Sequence, residues 1–241
     1  MPNTQTVDIK HKDVTLKCQL VKPELANENL PGILVMHDAM GLSDFTVNKA
    51  KQLAEMGYLA LATDMYGNGA HSENPEEAGK FFIDFHNTPE LIRDRVLALY
   101  RHLKAQPEVD ANNIAAIGFC FGGQCVLELA RSGEDVNAVV SYHGLLTTPS
   151  PAEVNSLRTT VAVYTGSKDP YAPREHVDAI REEMTASGAE LLLTEFSGAY
   201  HAFTNPNPPR GVESGMKYDE LCDRVSWAGT CALLQHALKR E

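Results

Sequence analysis

The stretch AAIGFCFGGQ (115–124) places a thiol in a bend rich in glycine. An apolar run at Ile114–Ile117 predicts a buried strand, and a helix is predicted directly after it at Phe121–Arg131. Cys120 lies between the two, with a glycine two residues to each side, which is the G-x-S-x-G spacing of a nucleophile turn with Cys in place of Ser. The helix N-terminus favours a thiolate, and the amide of Phe121 points to where an oxyanion forms. We therefore predict that Cys120 is a nucleophile; the alternative is a buried cysteine packed between sheet and helix.

A nucleophile in this setting is followed along the chain by an acid and then by a histidine. Asp169 comes after the strand predicted at Thr160–Tyr164, and His201 comes after the strand predicted at Leu191–Phe196. Both side chains are thus expected at carboxyl ends of strands, where functional groups gather in a parallel sheet. We predict that His201 acts as base and then as acid, and that Asp169 orients its ring. A simple turn role is the alternative for Asp169.

Two further side chains near strand ends are candidates for chemistry. Asp38 follows the apolar strand predicted at Gly32–Met36, in the loop that supplies a second oxyanion amide in this arrangement. A carboxylate there can accept the proton of the thiol or cap nearby amides, and the sequence leaves both roles open. His143 ends the strand predicted at Ala138–Tyr142 and is the competing base, but its position before Asp169 does not fit the chain order.

The elements that must position these residues alternate along the chain. Further strands are predicted at Val14–Val21, as an edge strand, and at Tyr58–Ala62. Helices are predicted from a cap at Ser43 to about Met56, and over Pro75–Phe85, Pro89–Ala105, His176–Ser187 and Tyr218–Leu238. This alternation implies an α/β fold with a mostly parallel, doubly wound sheet flanked by helices. Because no repeat or long linker interrupts the pattern, we expect residues 1–241 to form one domain.

The composition narrows the classes of function. The 241 residues are 43% hydrophobic, enough for a sizeable core, and carry a formal net charge of -11, which argues against a nucleic-acid partner. No apolar run approaches the roughly 18 residues of a membrane span, and the N-terminus lacks the apolar segment of a secretion signal. The five cysteines are scattered, without CxxC or zinc-finger spacing. We therefore expect reduced thiols, a cytoplasmic location, no metal, and no organic cofactor.

The sequence resembles the dienelactone hydrolases (carboxymethylenebutenolidases) of the α/β-hydrolase superfamily, nearly from end to end. The stretches that carry the resemblance are GILVMHDAMGL, LAEMGYLALATDMYG, AAIGFCFGG, VYTGSKDP, YHAFTNP and YDELCDRVSW. The resemblance implies an α/β-hydrolase fold and a triad of Cys120, His201 and Asp169. It also implies that the backbone amides of Phe121 and Ala39 form the oxyanion hole.

The sequence departs from the pattern of this family at two places. The family has an acidic residue, usually Glu, that interacts with the resting thiol, and the matching residue here is Asp38, one methylene shorter. Dienelactone-specific members bind the substrate carboxylate with arginines, one of them shortly after the catalytic histidine, and no arginine matches here. Arg210 is the nearest candidate, and a solvated surface charge is the favoured alternative for it. Because of this missing arginine, the hydrolase class carries over better than the dienelactone substrate. For Met40, Tyr66 and Phe203, the sequence leaves open two roles: an apolar wall for a small acyl group, or part of the core.

The function predicted from these residues is a cysteine-dependent hydrolase of small carboxylic esters or lactones, acting through a thioester acyl-enzyme. Its partner is a small-molecule substrate, and the sequence leaves open a monomer or a homodimer. A cysteine amidotransferase or peptidase is disfavoured because the acid precedes the histidine. The remaining alternative is a hydrolase-fold protein that only binds a ligand, or one that senses redox state through Cys120 and Cys125.

Overall fold

The computed structural model describes residues 1–24 and 29–238, and its centre is an eight-stranded sheet. The strands are β1 (Asn3–His11), β2 (Val14–Lys22), β3 (Leu30–Met36), β4 (Leu59–Ala62), β5 (Val109–Phe119), β6 (Ala138–Tyr142), β7 (Thr160–Gly166) and β8 (Glu190–Phe196). They lie side by side in the order β1-β2-β4-β3-β5-β6-β7-β8. All neighbours from β4 to β8 are parallel, which confirms the predicted mostly parallel, doubly wound sheet.

The prediction that Val14–Val21 is an edge strand was wrong. This segment forms most of β2, which lies between β1 and β4 and pairs antiparallel with both. The actual edge is β1, whose nine residues pair with β2 without interruption from Asn3 to His11. Most of its side chains are exposed. An exposed edge strand is held by backbone hydrogen bonds and needs few apolar residues, so its sequence gives little signal.

The helices of the described chain connect these strands close to the predicted positions. They are α1 (Asp44–Glu55), α2 (Pro75–Asn87), α3 (Glu90–Lys104), α4 (Phe121–Arg131), α5 (Arg174–Ser187) and α6 (Glu220–Ala237), with a short 3-10 helix at Val212–Ser214. The observed bounds of α4 and β6 agree with the predicted bounds residue for residue. The largest difference between a predicted and an observed bound is at the start of β5. This strand begins at Val109 instead of Ile114, because Val109 also pairs with Leu30 of β3. No described helix has the length and apolar character needed to cross a membrane.

Apolar side chains cover both faces of the sheet. On one face, the core includes Leu99 of α3, Leu129 of α4 and Ile180 of α5. On the other face, it includes Leu53 of α1 and Leu234 of α6. The central strands are therefore buried on both sides, which explains why they appear in the sequence as continuous apolar runs without alternation.

The parallel arrangement brings five strand ends to one edge of the sheet. There β3 leads to Asp38, β5 to Cys120, β6 to His143, β7 to Asp169 and β8 to His201. Segments far apart in sequence thus converge at the edge where ligands bind in open α/β sheets.

Candidate active site

Cys120 occupies a strained turn between β5 and α4. Its φ of 53° and ψ of -114° are rarely adopted by a residue with a side chain. The turn is held by β6, because the Cys120 N–H donates to the Tyr142 carbonyl over 3.0 Å. A methyl group added at Gly118 would overlap the Gly122 carbonyl, and one at Gly122 would overlap the Met36 carbonyl. Both glycines are therefore required by close backbone approach, as the motif spacing indicates.

His201 and Asp169 form a buried hydrogen-bonded pair beside this turn. The imidazole Nδ1 lies 2.8 Å from Oδ2 of Asp169, and both side chains are almost fully buried. The other carboxylate oxygen accepts the Tyr171 N–H over 2.8 Å, which fixes the carboxylate. The backbone N–H of His201 donates to the Gly215 carbonyl over 2.9 Å, which fixes the loop that carries the ring. With Nδ1 bound to the acid, the second ring nitrogen is available for proton transfer.

The electrostatics of this pair favour a proton on the histidine. Burial by itself lowers the pKa of His201. The attraction of Cys120, together with hydrogen bonds to Asp169 and to the Cys120 side chain, outweighs burial and raises the pKa of His201 to about 10. These contacts favour the charged ring, which is hydrogen-bonded to Asp169 on one side and to Cys120 on the other.

The competing histidine, His143, lies in the same cavity with different partners. Its Nε2 hydrogen-bonds the Thr204 hydroxyl at 2.8 Å, and its ring stands edge-on to that of His201. Burial and, to a smaller extent, the charge on His201 hold the pKa of His143 well below the ordinary value. The lowered pKa makes His143 a weak base, and no carboxylate among the described residues hydrogen-bonds its ring. The structure therefore brings both histidines together, and His201 is the one that is hydrogen-bonded to a carboxylate.

The loop after β3 presents a carboxylate and a backbone amide to the thiol cavity. Oδ1 of Asp38 accepts the Met40 N–H over 2.9 Å, so the capping role left open by the sequence is present. Burial raises the pKa of Asp38, opposed by the Met40 amide and nearby histidines. Ala39 lines the cavity, and its N–H has no protein acceptor within the described chain. The Phe121 amide, at the start of α4, has no acceptor within the helix either.

The thiol opens onto a small cavity with a volume of about 30 Å³, roughly the space of one water molecule. Its lining is Asp38, Ala39, Met40, Phe45, Phe119, Cys120, His143, His201, Ala202, Asn205, Pro209 and Met216. Phe45 and Met216 were not anticipated from the sequence. Phe45 follows the β3 loop in the first turn of α1, which is a weak signal. Met216 is brought in by a backbone bridge to His201, which no motif indicates.

The residues predicted to bind substrate are only partly at this cavity. Met40 lines it, as expected. Tyr66 instead lies beneath the loop, where its hydroxyl donates to the Ala39 carbonyl over 2.9 Å. Phe203 is fully buried, and its ring packs edge-on against His143. Arg210 is exposed and does not line the cavity, so the structure gives it no contact with the thiol site.

The other four cysteines lie in environments that suppress the thiolate. Burial raises the pKa of Cys18 to about 12 and that of Cys222 to about 11. Burial also raises the pKa of Cys125, which is fully enclosed in the core, and that of Cys231. All five cysteines are free. Cys120 is the one at a strand-to-helix turn with a histidine beside it. Within the described residues, no cluster of His, Cys, Asp or Glu is arranged to hold a metal ion.

The parallel sheet, the strained turn after β5 and the acid and histidine after β7 and β8 together define an α/β-hydrolase. The model of the dienelactone hydrolase family matches residues 16–238, so the chain belongs to that family. The resemblance inferred from the sequence motifs is thereby confirmed.

Similar proteins span almost the whole chain. A protein of Aquifex aeolicus, named as a candidate carboxymethylenebutenolidase, is 26% identical over 208 residues, which cover 83% of this chain and 87% of the relative. The crystal structure of P91, a dienelactone hydrolase-like promiscuous phosphotriesterase from metagenomic libraries, has a TM-score of 0.91 at 29% identity and covers 99% of both chains. A solved structure called m3DLH has the same TM-score and coverage at 31% identity.

Proposed function

We propose that this chain is a cysteine-dependent hydrolase of small carboxylic esters or lactones. The observation that carries the proposal is the buried 2.8 Å hydrogen bond between His201 and Asp169, located next to Cys120 in its strained turn. Residues suited to act as nucleophile, base and orienting acid thus follow one another in the chain order of this fold. Membership of the dienelactone hydrolase family supports the hydrolytic class.

In the first half of the reaction, the Cys120 sulfur attacks the carbonyl carbon of the substrate. A carbon–sulfur bond forms, and the carbonyl oxygen becomes an oxyanion that the amides of Ala39 and Phe121 stabilise. The tetrahedral intermediate then expels the alkoxide, which takes a proton from His201. In an ester the alcohol leaves; in a lactone it stays tethered to the acyl group.

In the second half, water hydrolyses the thioester. Neutral His201 removes a proton from the water as its oxygen attacks the carbonyl, and the same two amides stabilise the new oxyanion. Cleavage of the carbon–sulfur bond releases the carboxylic acid and returns the thiolate, which lies beside the protonated ring. Asp169 keeps the ring oriented through both halves without itself taking the proton.

Asp38 is proposed as the acid that activates the thiol. It lines the same cavity as Cys120, and burial raises its pKa, so it accepts a proton more readily than an exposed aspartate. Only its Oδ1 is occupied by the Met40 amide among the contacts of the described residues. A proton taken from Cys120 by the free oxygen would leave the thiolate ready for attack.

The deciding experiment compares the wild type with Cys120→Ala in the hydrolysis of p-nitrophenyl acetate. We expect turnover by the wild type, background rate in Cys120→Ala, and an acetyl group on the Cys120 peptide after acid quench. Cys222→Ala is the matched control, because it removes a thiol of α6 that does not line the cavity, and it should keep full activity. Equal rates for the wild type and Cys120→Ala would refute the proposal and favour a non-catalytic binding protein.

Phosphotriester hydrolysis is a second candidate activity. The observation that favours it is the similarity of 29% identity and TM-score 0.91 to P91, which is described as a promiscuous phosphotriesterase. The same thiol would attack phosphorus in place of carbon, with loss of a phenolate. Release of p-nitrophenol from diethyl p-nitrophenyl phosphate by the wild type, but not by Cys120→Ala, would support this activity.

The redox-sensing alternative is less well supported. A disulfide between Cys120 and Cys125 would need the second thiol to reach the turn, whereas Cys125 is completely buried in the core. The five free cysteines agree with a reducing, cytoplasmic location, which we retain as a proposal. We also retain one domain over residues 1–241, a monomer or homodimer, and a small-molecule partner without nucleic acid.

A further inference from the structure

The cavity beside Cys120 borders a much larger groove. The groove has a volume of about 1090 Å³, against about 30 Å³ for the cavity. The two share the side chains of Asp38, Met40, Phe45, Asn205 and Pro209. An acyl or leaving group larger than a few atoms must therefore extend into the groove while its carbonyl lies at the thiol.

The charge on the groove walls is predominantly negative. The ionisable side chains that line it are Lys17, Asp38, Asp44, His71 and Glu73. Three carboxylates thus face one ammonium group, and Lys17 is the one lysine or arginine among the described lining residues. Arg210 follows a lining proline in the sequence but is itself exposed outside the groove.

The cations behind the walls are already paired. Lys49 lies behind Phe45, with Nζ 5.7 Å from the centre of that ring, and its ammonium is 3.6 Å from Asp223. The proton on His201 is balanced by Asp169 at 2.8 Å. Neither group is therefore free to bind an anionic substituent of a substrate.

His143, which also lines the cavity, adds no positive charge to it. Nδ1 of His143 is buried and has no hydrogen-bond partner, while Nε2 is bound to Thr204. Burial keeps the pKa of this ring well below its ordinary value, so the ring is neutral. The side chains that the structure describes next to the thiol therefore present no uncompensated positive charge to a substrate.

We propose that the groove selects uncharged or positively charged esters and lactones, and that it discriminates against substrates carrying a carboxylate away from the reacting carbonyl. A carboxylate in the groove would face Asp38, Asp44 and Glu73, with Lys17 as the one lysine or arginine among the described lining residues. The inference rests on the proposed function in one respect: Cys120 is taken as the reacting group.

Alkylation of Cys120 tests the proposal without requiring turnover. The probes are iodoacetamides with a butyl arm that ends in a methyl, a carboxylate or an ammonium group, so the charge lies in the groove and away from His201. Rates for the Cys120 peptide are followed by mass spectrometry and divided by the rates of the same probes with N-acetylcysteine. At low ionic strength, we expect the methyl and ammonium probes to react about tenfold faster than the carboxylate probe. Added salt should narrow the difference.

Variants of two exposed glutamates locate the effect. Glu73→Gln removes a charge from the groove and should reduce the discrimination about twofold to threefold. Glu220→Gln removes the same charge from the start of α6, outside the groove, and should leave the discrimination unchanged.

The outcomes separate this proposal from the proposed function. Equal or faster reaction of the carboxylate probe would overturn it, and so would a Cys120 that reacts with none of the probes, because the groove would then not lead to the thiol. If the expected order of probes appears but p-nitrophenyl acetate is not hydrolysed, the charge selection stands and the hydrolase proposal fails.

Discussion

The imidazole ring of His143 stands edge-on to that of His201, with 5.0 Å between the ring centroids and 67° between the planes. The two rings lie in opposite electrostatic states. Burial and its neighbour hold the pKa of His143 well below the ordinary value, whereas Cys120 and Asp169 raise that of His201 against the effect of burial. The surroundings therefore favour a neutral ring at His143 and a charged ring at His201.

The neutral state of His143 predicts a specific dependence of stability on pH. An unfolded histidine takes up a proton near pH 6.5, whereas folded His143 does not. Its contribution to stability is therefore present above about pH 6.5 and is lost as the pH falls below that value. The variant His143→Phe lacks this titrating group. As the pH falls below about 6.5, the free energy of unfolding of the wild type should therefore decrease relative to that of the variant, by up to about 1.4 kcal/mol per pH unit. Urea unfolding of both proteins from about pH 7 to about pH 5 measures it. A difference that does not change with pH would contradict the prediction.

Removal of Asp169, the acid proposed to orient His201, should abolish most of the activity while preserving the fold. In Asp169→Asn, the amide nitrogen cannot accept the proton of Nδ1, so the wrong tautomer is favoured and the charged ring loses its partner. We expect kcat to fall by roughly 10² to 10⁴. Stopped-flow or steady-state hydrolysis of p-nitrophenyl acetate measures the loss. Asp13→Asn, the same substitution at an exposed turn, is the control and should behave as the wild type. Full activity in Asp169→Asn would exclude the acid from the mechanism.

Parts of the fold and of the site could be predicted where the physical requirement leaves a pattern within one segment of the sequence. The central strands could be located because burial on both faces requires continuous apolar runs, and the turn at Cys120 because close backbone contact requires glycine at Gly118 and Gly122. The strand β1 could not be located from the sequence. Its residues are mostly exposed, and they pair with β2 through backbone groups that every residue has.

Aromatic residues near the site were harder to place. Tyr66 and Phe203 both occur in loops after strands, and the sequence pattern is the same whether a ring faces the cavity or packs beneath it. In the structure, the Tyr66 hydroxyl reaches the Ala39 carbonyl and the Phe203 ring packs on His143. Such contacts form between loops that are far apart in the sequence, so the spacing of residues within one segment does not predict them.

Selective alkylation follows from the environments of the five cysteines. Burial raises the pKa of Cys18, Cys125, Cys222 and Cys231, and alkylation requires the thiolate. With limiting iodoacetamide near neutral pH, Cys120 should therefore be labelled well before the other four. Peptide mass spectrometry at successive times gives the order. Earlier labelling of Cys222 or Cys231, the other two partly exposed thiols, would show that the turn does not activate Cys120.

Two glycine-to-alanine substitutions test whether the turn at Cys120 depends on close backbone contact. In Gly122→Ala, the new methyl group would lie 2.6 Å from the His37 carbonyl oxygen and overlap the Met36 carbonyl, so β3 and α4 must move apart. We expect a loss of about 1 to 3 kcal/mol in the free energy of unfolding, together with lower activity, because the Phe121 amide moves with the helix.

The matched control is Gly79→Ala in α2, where no atom lies within 4 Å of the added methyl group. There the better helix propensity of alanine should raise stability by about 0.5 to 1 kcal/mol and leave activity unchanged. Urea denaturation and esterase assays on both variants measure the two effects. If Gly122→Ala were as stable as Gly79→Ala, β3 and α4 could separate at no cost. The strained geometry of Cys120 would then not be enforced by its neighbours.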